Sequence, residues 1–231
     1  MRINHNISAL NAWKTLGQTD FAMSKSLEKL SSGFKINRAG DDAAGLAISE
    51  KMRGQINGLN MAAKNAQDSI ALIQTAEGAL NETHSILQRM RELAIQSASD
   101  TNSSNDRTKI KDELNQLAKE IDRIAGQTEF NGKKLIQGTY KAGTATLVFH
   151  IGANKDQTIK MNLGKMSTIS IAASTVASAT LKATAVINTI DGANGQTASE
   201  ALISLVDSAI NKVSKERSAL GSTQNRLEHT I

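Results

Sequence analysis

The stretch Ile73–Ala98, IQTAEGALNETHSILQRMRELAIQSA, decides how the rest of the chain is read. Ile73, Leu80, Leu87 and Ala94 recur every seven residues, and Ala76, Thr83 and Met90 form a companion row. Apolar side chains at an average spacing of 3.5 residues lay a narrow stripe along one side of an α-helix, the coiled-coil signature. Downstream, Ile110, Leu114, Leu117, Ile121 and Ile124 step by four, three, four and three. Leu202, Val206, Ala209, Val213, Leu220, Leu227 and Ile231 keep the same seam. Near the start, Trp13, Leu16, Met23, Leu27, Leu30 and Phe34 follow three-four spacing, with Asp20 as the polar interruption. No such helix buries its stripe alone, so the seams are expected to pack on one another. The fold class that follows is mainly α: an elongated rod of long coiled-coil-like helices.

The helix holding the quoted stretch is expected to run from about Ala43 to Ala98. If continuous it is about 80 Å long at 1.5 Å per residue, which argues for a rod. Gly54, Gly58 and Gly78 lie inside it, each costing about 1 kcal/mol relative to Ala. Gly54 and Gly58 share a face, where they either permit close helix approach or mark a kink. Ser31–Asp42, SSGFKINRAGDD, is a polar connector with Asp41 and Asp42 placed to cap the next helix. Ser97–Asp106, SASDTNSSND, is a second turn ending in a capping residue, and Gly126–Lys134, GQTEFNGKK, closes the third helix with an Asn131-Gly132 turn. From about Lys141 the period changes to two. Ala145, Leu147, Phe149 and Ile151 alternate with polar or outward positions, and Ile159, Met161 and Leu163 do so again after GANKDQT. This predicts a small β-hairpin with one buried face. Residues 164–195 read as weak strands or loops, and the last helix is expected from about Thr197. The expected organisation is an N-terminal helical arm (1–42), a rod segment (43–139), the hairpin with a short surface region (140–197), and a C-terminal rod helix (198–231).

Composition agrees with long helices. The 231 residues include no Pro, no Cys and only six aromatics, where roughly a dozen prolines is the usual complement. The lack of Cys excludes a disulfide scaffold, thiolate metal sites and a cysteine nucleophile. No run of 18 apolar residues exists, so no membrane span is expected, and the start MRINHNISALNAWK lacks the apolar core of a secretory signal peptide. The net charge of +5 comes from 27 basic and 22 acidic residues. Their signs alternate, as in KIKDELNQLAKEIDR, with no basic run for nucleic acid, so a solvated helix surface is the expected reading. His5, His84, His150 and His229 stand apart with no ligand spacing. Asp41 and Asp42 are neighbours that do not face each other on a helix. Neither G-x-G-x-x-G nor G-x-x-x-x-G-K-[ST] occurs. No catalytic constellation, metal site or cofactor is therefore expected, and no enzyme. Apolar seams on helices are the chemistry of association.

The run LEKLSSGFKINRAGDDAAGLAISEKMRGQI (Leu27–Ile56) closely resembles the N-terminal signature of bacterial flagellins, of the Firmicutes type. So do MRINHNISALNA, IQTAEGALNETHSILQRMRELAIQSASDTNS (Ile73–Ser103), KDELNQLAKEIDRIAGQTEFNGKKLI (Lys111–Ile136), VFHIGAN (Val148–Asn154) and SALGSTQNRLEHTI (Ser218–Ile231). The resemblance implies a self-assembling subunit of the flagellar filament, a homopolymer serving motility. It implies export through the flagellar type III apparatus with a dedicated chaperone, and an extracellular location. In that family the N-terminal segment lines the inner tube of the filament and the following helices pack between subunits. It also implies recognition by the vertebrate flagellin-sensing Toll-like receptor. Arg89 and Leu93 in QRMRELAIQ (Gln88–Gln96), with Glu113 on the next helix, match the contact positions. Arg89 and Leu93 are four apart, so one helix face is expected to present both. Neither nucleic acid nor membrane is implied as a partner.

The resemblance also sets an expectation about length. Flagellins continue beyond the equivalent of NRLEHTI with a second arm that pairs with the first and carries the chaperone site. The chain is accordingly expected to be C-terminally truncated, by trimming or naturally, and to polymerise poorly on its own. The rival readings are a hook–filament junction protein, which shares the terminal helices, and a basic coiled-coil binding module.

Overall fold

The computed structural model describes residues 6–140, 143, 145–167, 187–190 and 195–231. The element order is α1 (Ile7–Ser32), α2 (Ala43–Ala98), α3 (Ser104–Gln127), β1 (Glu129–Phe130), β2 (Lys133–Lys134), β3 (Leu147–His150), β4 (Thr158–Met161) and α4 (Gly195–Glu228). The fold is mainly α, with two small antiparallel hairpins. It divides into two compact units, Met1–Gly58 and Leu59–Ile231, whose boundary falls inside α2. Burial shows why. No α2 residue before Ala62 is buried, whereas from Ala62 to Ser97 the helix holds thirteen buried positions.

In the first unit, α1 is closed at both ends by local chemistry. Asn6 caps it through a hydrogen bond from the Ala9 amide (3.2 Å), and Gly33 ends it in the left-handed conformation at φ 71°. A glycine adopts that φ without the Cβ penalty. The expectation that the α1 seam packs in a core is corrected here: α1 has no buried residue, and Trp13, Leu16, Met23, Leu27 and Leu30 are all more than half exposed. The stripe has the spacing of a seam, but no element of its unit covers it. The two aspartates of the connector also part ways. Asp42 accepts a hydrogen bond from the Gly45 amide (2.9 Å) and caps α2. Asp41 instead turns back to Lys25 of α1, Oδ1 to Nζ at 2.8 Å.

In the second unit the turns follow their sequences. Ser103, rather than the Asp106 that ends the turn, is the N-cap of α3. The two form a reciprocal capping box, with the Asp106 carboxyl held below its ordinary value chiefly by the Ser103 hydroxyl. Asn131 (φ 49°) and Gly132 (φ 73°) both take positive φ between β1 and β2, as a two-residue hairpin of the Asn-Gly kind requires. β3 and β4 pair antiparallel in the register Leu147↔Met161 to His150↔Thr158. Leu147, Phe149, Ile159 and Met161 point into the core, while Val148 is exposed. The strands are shorter than the alternation predicted, because Ile151 already belongs to the turn, its amide bonded to the Gln157 carbonyl (3.0 Å). α4 starts at Gly195, two residues before the expected Thr197. Of the stretch expected as weak strands or loops, 168–186 and 191–194 lie outside the described residues. Ile187 and Ile190 beyond it are fully buried. At Gly54 and Gly78 an added Cβ would meet nothing within 4 Å. Within the single chain, Gly54 therefore meets no neighbouring element.

Candidate functional site: the helix seam and the Arg89 ion pair

The α2 seam runs in two interleaved rows. Ala66, Ile73, Leu80, Leu87 and Ala94 form one, and Ala62, Ser69, Ala76, Thr83, Met90 and Ser97 the other; every member is buried. The spacing alternates strictly between four and three, which keeps one stripe on one side over five heptads. α4 repeats it with Gly195, Ser199, Leu202, Val206, Ala209, Val213, Leu220, Thr223 and Leu227, all buried. Glu216 occupies the skipped position, half-buried. Ile231, expected in this seam, lies past the helix end and is 57% exposed.

Polar contacts fix how the two helices run. Glu77 meets Arg217 (3.7 Å), Arg91 meets Asp207 (2.6 Å), and Ser97 Oγ lies 3.0 Å from Ser199 Oγ. As α2 advances, its partner residue on α4 retreats, so the helices are antiparallel. The serine pair is fully buried within an otherwise apolar seam. Ser199 Oγ is also 2.7 Å from the Gly195 carbonyl, so its hydroxyl is satisfied where the α4 helix begins. Thr83 and Thr223 solve the same problem alone, each donating to the carbonyl four residues back (2.9 and 2.8 Å). A buried hydroxyl without such a partner costs about 1–3 kcal/mol.

α3 joins the core through Ile110, Leu114, Ala118, Ile121 and Ala125. Leu117 and Ile124 are only partly buried and flank it. The buried row follows a helical drift closer to 3.6 than the 3.5 spacing predicted, with alanines at its centre (Ala118) and its end (Ala125). Arg107 on α3 closes the corner: Nε donates to the Ser97 carbonyl (3.1 Å) and Nη2 to Ser99 O (3.3 Å), with Asp100 at 3.2 Å. It thereby satisfies carbonyls that the end of α2 leaves open.

On the outside of this pairing, Arg89 reaches across from α2 to α3. Its Nη2 and Nε both meet Glu113 Oε1, at 2.9 and 3.2 Å, and Nη1 meets Glu92 Oε2 at 3.2 Å. Glu113 first, then Glu92, holds the guanidinium above its ordinary pKa. About half of each side chain in the Arg89–Glu113 pair is exposed. Leu93 does not share that surface. It is 2% exposed and belongs to the core, so the expectation of one face presenting both residues is corrected. Successive helical side chains at i and i+4 are displaced around the axis by about 40°, and that rotation carries Leu93 under the seam. Sequence reasoning missed the Ser97–Ser199 pair, Arg107 and the buried alanines of α3, Ala118 and Ala125. Extending the two heptad rows to their ends would have found both serines. Among the described residues, no group of three His, Cys, Asp or Glu is placed to hold a metal ion, and no helix is long and apolar enough to cross a membrane.

Residues 3–141 match the family model for the bacterial flagellin N-terminal helical region, and residues 203–231 match that for the C-terminal helical region. The chain belongs to the bacterial flagellin family. The flagellin of Bacillus subtilis is 52% identical over all of this chain and 81% of its own length. The flagellar filament 33 kDa core protein of Treponema phagedenis is 46% identical over all of this chain and 80% of its own. Among solved structures, Bacillus cereus flagellin superimposes with a TM-score of 0.56 at 31% identity, covering 73% of this chain and 86% of that one. A putative flagellar hook-associated protein from Vibrio parahaemolyticus reaches a TM-score of 0.65 at 16% identity, over 84% and 92% of the two chains. That likeness is of fold alone. The flagellin models thus cover α1 together with α2, α3 and most of α4, the three helices that build the seam.

Proposed function

We infer that this flagellin-family chain is a structural subunit of a bacterial flagellar filament, secreted and extracellular, holding its neighbours through apolar helix faces. The observation that carries the reading is the pairing of family membership with exposed apolar stripes. Leu30 is 80% exposed, Trp13 75% and Ile48 60%, and Met52 and Ile56 continue the row on early α2. Contiguous apolar surface of this kind marks an interaction site, because water penalises it in the lone chain. Assembly removes that penalty, and no catalytic residue is needed. Export through the flagellar type III apparatus with a chaperone belongs to the same reading. In a flagellated strain that also expresses its own flagellin, the chain is expected to be secreted and co-incorporated into filaments, as read by immuno-electron microscopy. Secreted protein that never enters a filament would overturn the reading.

We also propose recognition by the vertebrate flagellin-sensing Toll-like receptor, centred on Arg89 and Glu113. The observation favouring it is that this ion pair is half exposed on adjacent helices, at the positions the resemblance assigns. Arg89→Ala and Glu113→Ala are expected to weaken receptor signalling by monomeric protein. An ion pair this exposed is screened by solvent and holds the fold together little, so the thermal midpoint should stay nearly fixed. Leu93→Ala should lower both, since Leu93 supports the surface from beneath. Full signalling by monomeric Arg89→Ala protein would refute the assignment.

A further inference from the structure

The second unit is held by an apolar core, but the connector joining α1 to α2 is held by charge. Between Gly33 and Asp42 no side chain is buried, and only Ile36, Asn37 and Asp41 are even half-buried. Phe34 is 56% exposed, lying under Arg53 at 5.3 Å. The fastenings are polar, and most of them end on carboxylates. Asp41 takes Lys25 Nζ at 2.8 Å and the Asn37 and Arg38 amides at 3.4 Å each. Glu28 takes Arg38 Nε at 2.9 Å, and its carbonyl accepts from Asn37 Nδ2 (3.3 Å). One backbone hydrogen bond, Asp41 amide to Arg38 carbonyl (2.9 Å), closes the loop.

We propose that this connector carries an acid-releasable latch with the Asp41 carboxylate as its bolt: neutralising Asp41 releases Lys25 of α1 and the Asn37 and Arg38 amides, while the apolar seam of the second unit stays folded. The two carboxylate oxygens of one side chain hold both a lysine on α1, through Oδ1, and two successive amides of the loop, through Oδ2. A protonated carboxyl loses the ionic attraction of the first and much of the hydrogen-bond strength of the others. The groups facing Asp41 are Lys25 and Glu28 from α1 and Arg38 from the connector, and Asp42 beside it is engaged by the Gly45 amide of α2. Arg38 is committed to Glu28, and Arg53 to Glu50 (2.7 Å), so Lys25 is the balancing cation.

The direction of the pH response follows. Lys25 chiefly, with the Asn37 and Arg38 amides, holds the Asp41 carboxyl below its ordinary value against the opposing effect of burial. A carboxyl depressed in the folded state stabilises that state fully above its unfolded value, about 3.9. The contribution is lost as pH falls from there through the lowered folded value. The latch is therefore closed at neutral pH and opens only in strongly acid medium. Among the described residues, the buried rows of the second unit carry no carboxylate or histidine; their polar members are serines and threonines.

The inference concerns the single chain and is tested without assembly, so its failure leaves the filament reading untouched. The experiment is a pH titration of the full chain by amide-proton NMR from pH 7 to 2, on the parent and on Asp41→Asn and Lys25→Gln. In the parent, the Asn37 and Arg38 amides should titrate together with a midpoint below about 3.9, while the Ile73 and Leu80 amides hold their positions. Asp41→Asn should show the loss of the Asn37 and Arg38 amide hydrogen bonds already at pH 7 and remove the step shared by the two amides. Lys25→Gln should move the midpoint upward, towards about 3.9. Asn37 and Arg38 amides that ignore Asp41→Asn at pH 7, a midpoint unmoved by Lys25→Gln, or a connector that melts only together with the seam would each overturn the proposal.

Discussion

Leu114→Ala is expected to destabilise the second unit by about 2–5 kcal/mol, the cost of a cavity in a core that cannot close around it. Leu114 is 0% exposed at the middle of α3, and its neighbours along the row are the small Ala118 and the already packed Ile110 and Ile121. None has length to spare for filling the gap. For a unit of this size that loss corresponds to a fall in thermal midpoint on the order of 10 °C. Leu30→Ala removes the same atoms from the same residue type, on a helix with the same apolar spacing. Leu30 is 80% exposed, so its truncation should leave stability within about 0.5 kcal/mol. Calorimetry on the two variants separates a seam that is filled from one that is open. Equal shifts for both would mean that α1 is packed in solution, and a negligible shift for Leu114→Ala would mean that α3 does not belong to the core.

That contrast marks how far the sequence could be read. The rows through Ile73, Leu80 and Leu87 and through Leu202, Val206 and Val213 repeat every seven residues because each side chain must return to one stripe, and this periodicity is visible in any helix. Whether a stripe is covered is a property of what lies opposite, which periodicity does not carry. The α1 row and the α4 row look alike as strings, yet one is open and the other closed. The same gap explains Leu93. Spacing placed it near Arg89, but only the three-dimensional position of α3 decides that one points out and the other in. Small residues were illegible for a different reason. Ala118 and Ala125 signal no hydrophobic run, Ser97 reads as a turn residue, and Ser199 is a small polar residue in the first turn of a helix. They matter because two backbones approach closely there, a constraint that shows as the absence of bulk. The carboxylates of the connector were legible as polar but not as a circuit. Asp41 and Asp42 are adjacent, yet Asp41 is drawn back by Lys25, distant in the chain, and Asp42 forward by the Gly45 amide.

Gly195→Ala should destabilise the second unit by about 1–3 kcal/mol, as expected for forcing extra volume into a filled site. Propensity alone predicts the opposite sign, since Ala is favoured over Gly in helices by about 1 kcal/mol. Geometry overrides propensity here. A Cβ on Gly195 would lie 2.3 Å from the Ile190 carbonyl oxygen and 2.9 Å from Arg107 Nη1. Arg107 can swing, though at the expense of its bonds to the Ser97 and Ser99 carbonyls. The Ile190 carbonyl cannot yield so easily, because the Ile190 and Ile187 side chains on either end of that turn are fully buried. Any retreat of Gly195 instead moves its own carbonyl, which receives the Ser199 hydroxyl, and with it the serine pair that ties α4 to Ser97. Gly78→Ala is the matching control. It sits in mid-α2 with nothing within 4 Å of the new methyl, so propensity should prevail and the variant should gain up to about 1 kcal/mol. Denaturant midpoints read both signs. A Gly195→Ala protein as stable as the parent would show that the start of α4 can move away from the 187–190 turn, and would remove the close approach on which this account of α4 rests.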